Sequence, residues 1–551
     1  MDRGAVMQKL ITRTAVSACP HDCPSGCSLE IAVHDGNRIG RVTGAKEQTY
    51  TRGVICAKVA RYAERVHHPD RLLYPMRRIG SKGEGRFERI SWEAALDTIA
   101  DAFARVSREH GREAVWPYHS GGTMGQVQRY GMELFRNALG YSRQHSSICS
   151  TPAEAGWRAG IGGLRGPDPR EMAQSDLIVL WGGNPVSTQV NVMSHVTEAR
   201  RKRGARLVVV DVYRTPTVEQ ADVALIVKPG TDAALALAMM CVLLREGTAD
   251  RDFLSRLTDF SPDVEGHILS RTPEWASAIT GLAPDAIVDF ARLYGRTPRA
   301  FIRLGFGFTR GRNGAASMHA VSCLPAITGA WRQLGGGAYF MTWDRATWGF
   351  DPVLMQGLDA LDPNTRILDQ SRIGAVLAGA PDALKGGPPV MAMLMQNANS
   401  AEVAPDSTLV RRGLEREDLF LAVHEQMMTA TARYADIVLP ATMFVEHDDL
   451  YASYGHTHIA LGPKLIEPPG EARSNHWVRS ELARRLGATH PGLGMTEREQ
   501  IDDAFRRGGL GGRDRQCDRR HLRGPRSWRS VRLRRQPAVR HRTVPGVAGP
   551  P

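Results

Sequence analysis

Nowhere in this chain do about eighteen apolar residues follow one another, so the sequence predicts no membrane span. Met1 to Ala18 lack the apolar stretch of a secretory signal, and no arginine pair precedes Cys19, so no secretory or twin-arginine leader is read there. Cysteine is scarce. With four of eight cysteines falling in one grouping, a reducing compartment is a better fit than a disulfide framework, and a cytoplasmic location is expected. Internal repeats and low-complexity segments are absent before the C-terminal tail. A strong charge on the body is absent too. The formal net charge is +13, but the tail from Gly511 to Pro551 has twelve arginines against Asp514 and Asp518, which leaves the body near neutral with no need of an acidic partner. That tail has no lysine and no periodicity. It reads as out-of-frame translation of GC-rich DNA, with a basic nucleic-acid arm as the alternative, and no nucleic-acid partner is expected.

What is present is a 551-residue chain, 42% hydrophobic and 23% charged, the composition of a globular protein of several domains. Its organising stretch is Cys19-Pro-His-Asp-Cys23-Pro-Ser-Gly-Cys27, answered by Cys56 in Gly53-Val-Ile-Cys56-Ala-Lys58. Three clustered thiols and one remote thiol fit a [4Fe–4S] site. Four thiolates also suit tetrahedral zinc, and unliganded thiols are the third reading. Lys58 is either a solvated lysine or a cation held beside the cluster. Leu29, Ile31 and Val33, then Asp35-Gly36-Asn37, then Ile39 and Val42, predict a hairpin between the third and fourth cysteines.

Ser91 is placed to cap a helix over Ala94 to Val106. Val115 to Tyr118 reads as a strand ending in the glycine-rich loop Ser120 to Gly125, either a tight turn or a place where backbone approaches a ligand closely. The apolar runs Asp176 to Trp181, Arg206 to Asp211 and Ala224 to Val227 predict buried parallel strands, with a helix capped by Lys228 to Asp232 after the third. Gly182-Gly183-Asn184 closes the first strand and lets backbone N–H groups meet a phosphate. Asp211 closes the second strand, either as a ribose or purine acceptor or as a plain turn cap. The pattern is not G-x-G-x-x-G, so a plain NAD site is not indicated. Further strands are predicted at Val390 to Met395, Leu419 to Val423 and Ala435 to Pro440. Cys149, in His145-Ser-Ser-Ile-Cys149-Ser150-Thr151-Pro152, precedes a helix; it is a reactive or metal-binding thiol or a buried small residue. Cys241 and Cys323 are expected in the core.

In this order, the cysteine cluster with Lys58, the Cys149 segment, Trp181-Gly-Gly-Asn184-Pro185 with Val210-Asp211, and Thr431-Ala-Arg-Tyr-Ala435-Asp436-Ile-Val-Leu-Pro440 resemble the molybdopterin oxidoreductases of the dimethyl sulfoxide reductase family. The resemblance implies an α/β fold: a small iron–sulfur domain plus two doubly wound, Rossmann-like domains. The implied boundaries are 1–63 with a return segment near 441–490, then 64–145 with 346–440, then 146–345, and a basic tail over 508–551. It implies molybdenum, or tungsten, held by two pterin guanine dinucleotides and one side chain. Cys149 matches that ligand, with Ser150 as runner-up. Gly182, Gly183, Asn184, Asp211 and Asp232 match one guanine nucleotide site, and Lys58 matches the residue between cluster and pterin. The implied chemistry is oxygen-atom transfer or dehydrogenation of a small substrate, with electrons leaving through the cluster to a ferredoxin-like or flavin- or NAD-linked partner. Ser150 stands where formate dehydrogenases of the family have histidine, which demotes formate as the substrate. The family's C-terminal β-barrel-like domain is not recognised after Arg507, so poor cofactor binding is expected of the chain as written. A molybdenum-free electron-transfer subunit and a non-redox hydratase on the same scaffold are the competing readings.

Overall fold

The computed structural model describes residues 11–35, 37–145, 148–343 and 349–508. Gly36 of the hairpin turn, residues 146 and 147 before Cys149, and the basic tail from 509 onward lie outside the described residues. No helix among those described is long and apolar enough to cross a membrane.

Near the N-terminus, Ile11–Ala18, Ser28–His34 and Arg38–Gly44 form a three-stranded antiparallel sheet. Leu29, Ile31 and Val33 are fully buried on it. The Cys19–Cys27 loop joins its first two strands, closed by a 2.8 Å bond from Cys19 N to Cys27 O. Short helices Ala57–Ala60 and Tyr62–Val66 follow the fourth cysteine.

The apolar runs read as strands become two larger sheets. The first has the order Val223–Ile226, Arg206–Asp211, Leu177–Trp181, Ala300–Leu304, Gly337–Tyr339, with every neighbouring pair parallel. Such runs suit strands covered on both faces, because no side then meets water. The second has the order Phe87–Arg89, Met76–Arg78, Ile437–Pro440, Phe420–Glu425, Ala392–Gln396, Tyr118–His119; its last four strands are parallel. The strand expected from Val115 is shorter than read. Val115 makes only an isolated bridge to Ala392, and regular pairing resumes at Tyr118. Pro117 between them has no N–H to donate, which interrupts the ladder.

Helix Trp92–His110 starts as its sequence dictates, with the Ser91 side chain accepting from Ala94 N. The helix after Lys228 differs: it spans Asp232–Arg245, and the Thr231 hydroxyl bonds Lys228 O instead of capping. Cys241 and Cys323 lie in helices Asp232–Arg245 and Gly314–Ile327.

Helix Gln126–Leu139 is capped from a distance. Its N-cap, Gly125, has no side chain, and Asp449 accepts from Val127 N at 2.9 Å and Gln128 N at 3.4 Å. A Cβ on Gly125 would lie 1.5 Å from an Asp449 carboxylate oxygen. Burial pushes the Asp449 carboxyl up to about 7, outweighing three backbone N–H groups that favour its charged form. A carboxyl raised in the folded state contributes fully below its unfolded value near pH 4, and that contribution fades as pH rises toward 7. Asp449→Asn is therefore expected to flatten the fall in stability between pH 5 and pH 7.5. Thermal midpoints of both proteins at the two pH values check this; parallel shifts in the two proteins would count against it.

Candidate functional site

The cysteine loop is shaped by a hairpin tip more than four hundred residues away in sequence. Strands Asp449–Ala452 and Ile459–Gly462 present Ser453 to His456 against it. The Ser453 hydroxyl donates to Pro24 O, His456 Nε2 meets Ser25 O at 2.7 Å, and the Tyr454 hydroxyl donates to Asp22 Oδ1 at 2.6 Å. Gly26, at φ +41°, has room for no Cβ, which would lie 2.5 Å from Ser453 Cβ. Gly455 packs on Pro24 just as closely, since a Cβ there would come 2.2 Å from its carbonyl oxygen.

The loop so held brings Cys19, Cys23, Cys27 and Cys56 to one cavity of about 400 Å³. Burial raises the Cys19 thiol well above its ordinary value, and Cys27, Cys23 and Cys56 push it further the same way. Burial, then Cys23 and Cys56, pushes Cys27 up to about 12. These sulfurs oppose one another's ionisation and call for a shared cationic group. Among the described residues, no three His, Cys, Asp or Glu side chains gather closely enough for one ion. A soft-donor quartet around a roomy cavity fits an iron–sulfur cluster better than a single zinc.

Cys149 lies on the wall of the same cavity, two residues before helix Thr151–Ile161. Burial raises its thiol and Asp22 adds to this; Arg310 and Arg129 oppose it. The hydroxyl of Ser150, the alternative ligand, is bound instead to the Glu154 carboxylate. Lys58, Gly182, Gly183 and Asn184 complete that wall. Gly182 adopts φ +66° and stacks on a second glycine turn, with Gly305 N donating to Trp181 O and Gly307 N to Gly182 O, both at 2.8 Å. A Cβ on Gly305 would sit 2.1 Å from Gly182 O, so the crossover between the two central strands is bare backbone. A cradle of this kind accepts a pyrophosphate.

Asp211 and Asp232 do not line the cavity. Asp211 Oδ1 accepts from Val212 N, and Asp232 Oδ1 from the Trp181 indole at 2.8 Å. Burial raises both carboxyls, and the Asp232 charge also raises Asp211.

Sequence reasoning missed Asp22, Arg129, Arg310 and Tyr454. It also missed a second crossover point. In the six-stranded sheet, Asn397 follows its strand at φ +58°, as Gly182 does in the other sheet, and Gly122 N donates to Asn397 O at 3.2 Å, as Gly307 N does to Gly182 O. The clue was there in Gln396-Asn397-Ala398-Asn399 and Ser120-Gly121-Gly122, two loops that are far apart in sequence.

Comparison with known proteins bears on this geometry. A family model described as "Molybdopterin oxidoreductase" matches residues 71–485, and one described as "Molybdopterin oxidoreductase Fe4S4 domain" matches residues 12–68. "Probable oxidoreductase YoaE" of Bacillus subtilis is 38% identical over 491 residues, which are 89% of this chain and 71% of that protein. "Dimethyl sulfoxide reductase DmsA" of Escherichia coli is 30% identical, over 88% of this chain and 65% of its own length. Among solved structures, the acetylene hydratase from Pelobacter acetylenicus superposes with a TM-score of 0.75 over 90% of this chain and 72% of that one; at 22% identity, this is a likeness of fold alone.

Proposed function

The chain belongs to the molybdopterin oxidoreductase family, and from that premise we propose that it carries out oxygen-atom transfer or dehydrogenation on a small substrate. It is an enzyme, and its cofactors are a [4Fe–4S] cluster and molybdopterin. In the proposal, Cys19, Cys23, Cys27 and Cys56 hold the cluster, and Cys149 is the protein's ligand to molybdenum. The pterin takes the bis-guanine dinucleotide form. Gly182, Gly183 and Asn184 receive the pyrophosphate of one nucleotide, with Asp211 and Asp232 at its far end. The Asn397 crossover receives the other. The domain boundaries inferred from sequence belong to the same proposal.

When bound, the metal supplies two-electron exchange and the cluster a one-electron exit. The chain's own residues do the rest. The hairpin tip fixes the cysteine loop, Lys58 sets a positive charge on the wall shared with the cluster cysteines, and Tyr454 orients the Asp22 carboxylate beside Cys149. The electron partner is a ferredoxin-like or flavin- or NAD-linked protein or subunit, and the location is cytoplasmic.

The observation that carries this reading is that five thiols and a bare glycine cradle face one cavity. Anaerobic purification followed by metal and pterin analysis tests it. About four iron atoms per chain are expected, with molybdenum co-eluting with a pterin guanine dinucleotide. Zinc in place of iron and no pterin would defeat the proposal. Turnover that needs neither electron donor nor acceptor would point to the hydratase reading.

A further inference from the structure

A buried cation stands behind the cavity of the cluster cysteines with no acid to answer it. Arg303 lies on the central strand Ala300–Leu304 and is 4% exposed. Among the described residues it is in no ion pair, whereas the buried arginines Arg71 and Arg136 are matched with Glu446 and Glu133. Its Nη1 is taken up by backbone, reaching Phe340 O at 2.8 Å and Tyr339 O at 3.2 Å, and its Nε is buried with no partner. Its Nη2 donates to Gln189 Oε1 at 2.7 Å.

Gln189 connects that charge to the cavity. It is a non-glycine residue at φ +53°, a conformation that persists only where the surroundings support it. It lines the cavity together with Cys19, Cys23, Cys27 and Cys56. With its oxygen committed to Arg303, its amide N–H groups remain as donors. The next residues lie against the cysteines as well. Val190 and Asn191 line the same cavity and open helix Asn191–Arg203, whose first N–H groups carry partial positive charge. Asn191 is fully buried, with Oδ1 3.7 Å from Cys27 Sγ, and one turn on, His195 Nε2 meets Tyr50 O at 3.1 Å. The helix start is thus pinned to the small iron–sulfur domain, and the guanidinium is one side chain behind the cavity wall. Burying a cation without a carboxylate is costly, and that cost is offset where negative charge is held nearby.

We infer that Arg303 is a positioning residue for the cluster: through Gln189 it holds buried positive charge behind the four cysteines and raises the cluster's reduction potential. The inference rests on the cluster reading and deepens it. One-electron reduction adds a negative charge to the cluster, and a cation in low-dielectric surroundings favours that state. Lys58 is exposed on the cavity wall, so water and salt screen its charge far more than that of Arg303. Arg303 also borders a void of about 20 Å³ with Gly183 and Asn184, so the test has to separate the cluster from the pyrophosphate.

The full chain with its cluster and cofactor is used, and iron and pterin guanine dinucleotide are measured on every sample. Titration with dithionite and redox mediators, read by electron paramagnetic resonance of the reduced cluster, gives the midpoint potential. Arg303→Met is expected to lower the equilibrium constant for reduction about tenfold, which is 59 mV for one electron. Arg303→Lys keeps the charge and loses the planar fork, and it is expected to stay close to wild type. Gln189→Leu leaves the charge and removes the link; it is expected to lower the constant about threefold, and it decides the matter if the Arg303 variants fail to fold. An unmoved potential in Gln189→Leu, or a shift in Arg303→Lys as large as in Arg303→Met, would overturn the inference. Loss of pterin guanine dinucleotide from Arg303→Met with an unmoved potential would also overturn it, and would assign the arginine to the pyrophosphate. Wild-type protein without iron would sink the cluster reading and this inference with it; full wild-type iron with unmoved variants would sink the inference alone.

Discussion

Cys27→Ser is expected to take the protein from about four iron atoms per chain to fewer than one, with loss of the visible charge-transfer absorbance. The reason is local. Cys27 is buried, its thiol is pushed up to about 12, and Cys23 and Cys56 add to that push. The thiolate can persist there only with a cationic group to offset it, and serine, far less acidic, does not supply the ligand. Cys27 Sγ also lies 3.7 Å from Asn191 Oδ1, and Asn191 Nδ2 donates to Val54 O at 2.8 Å, so one asparagine ties the loop to the approach to Cys56. Because cluster binding is coupled to folding of the small sheet, the thermal midpoint should fall along with the iron. Cys241→Ser and Cys323→Ser, whose sulfurs sit in helices away from the cavity, should keep their iron. A Cys27→Ser protein with full iron content would remove the central support of the site.

The second large effect is one of stability. Arg71→Met should destabilise the protein by about 3–5 kcal/mol, the cost of stranding a buried charge. Arg71 and Glu446 have side chains 2% and 1% exposed. Arg71 Nη2 donates to Glu446 Oε2 at 2.9 Å and to Ala441 O at 3.1 Å, and Nη1 donates to Val66 O at 3.0 Å. The pair thus joins the end of helix Tyr62–Val66, just past the cluster cysteines, to the stretch leading to the hairpin tip. The other Glu446 contact is Met443 N at 2.8 Å, which cannot neutralise a carboxylate left in apolar surroundings. Adding Glu446→Gln to Arg71→Met should recover much of the loss. Urea midpoints of the two variants check both statements; a loss below about 1 kcal/mol in the single variant would show that the pair contributes little beyond its desolvation.

Much of the fold could be read in advance where the signal was local. The runs at Leu177–Trp181, Arg206–Asp211 and Phe420–Glu425 are strands because continuous apolar side chains suit a sheet covered on both faces. Ser91 marks a helix start because a hydroxyl satisfies a free N–H within its own turn. Where distant partners competed, the reading was incomplete. Thr231 bonds backwards and leaves the cap empty, and Asp232 turns to the Trp181 indole. Helix Gln126–Leu139 has no cap of its own, because Asp449 supplies one from 322 residues away. The six-stranded sheet is not contiguous in the chain. The strand beside Ala392–Gln396 is Tyr118–His119, and no local pattern links them.

By itself, the sequence determined the donor chemistry and the family: sulfur at fixed intervals, glycine at a strand end, apolar runs of strand length. These follow from residue type and short spacing. Only the tertiary structure decided what surrounds Cys149. Tyr454 reaches Asp22 across 432 positions, and Arg310 reaches the same cavity wall from the turn Phe306–Arg310. Charge and hydrogen bonding act through space over a few ångströms, and packing of the two sheets sets which side chains come within that range.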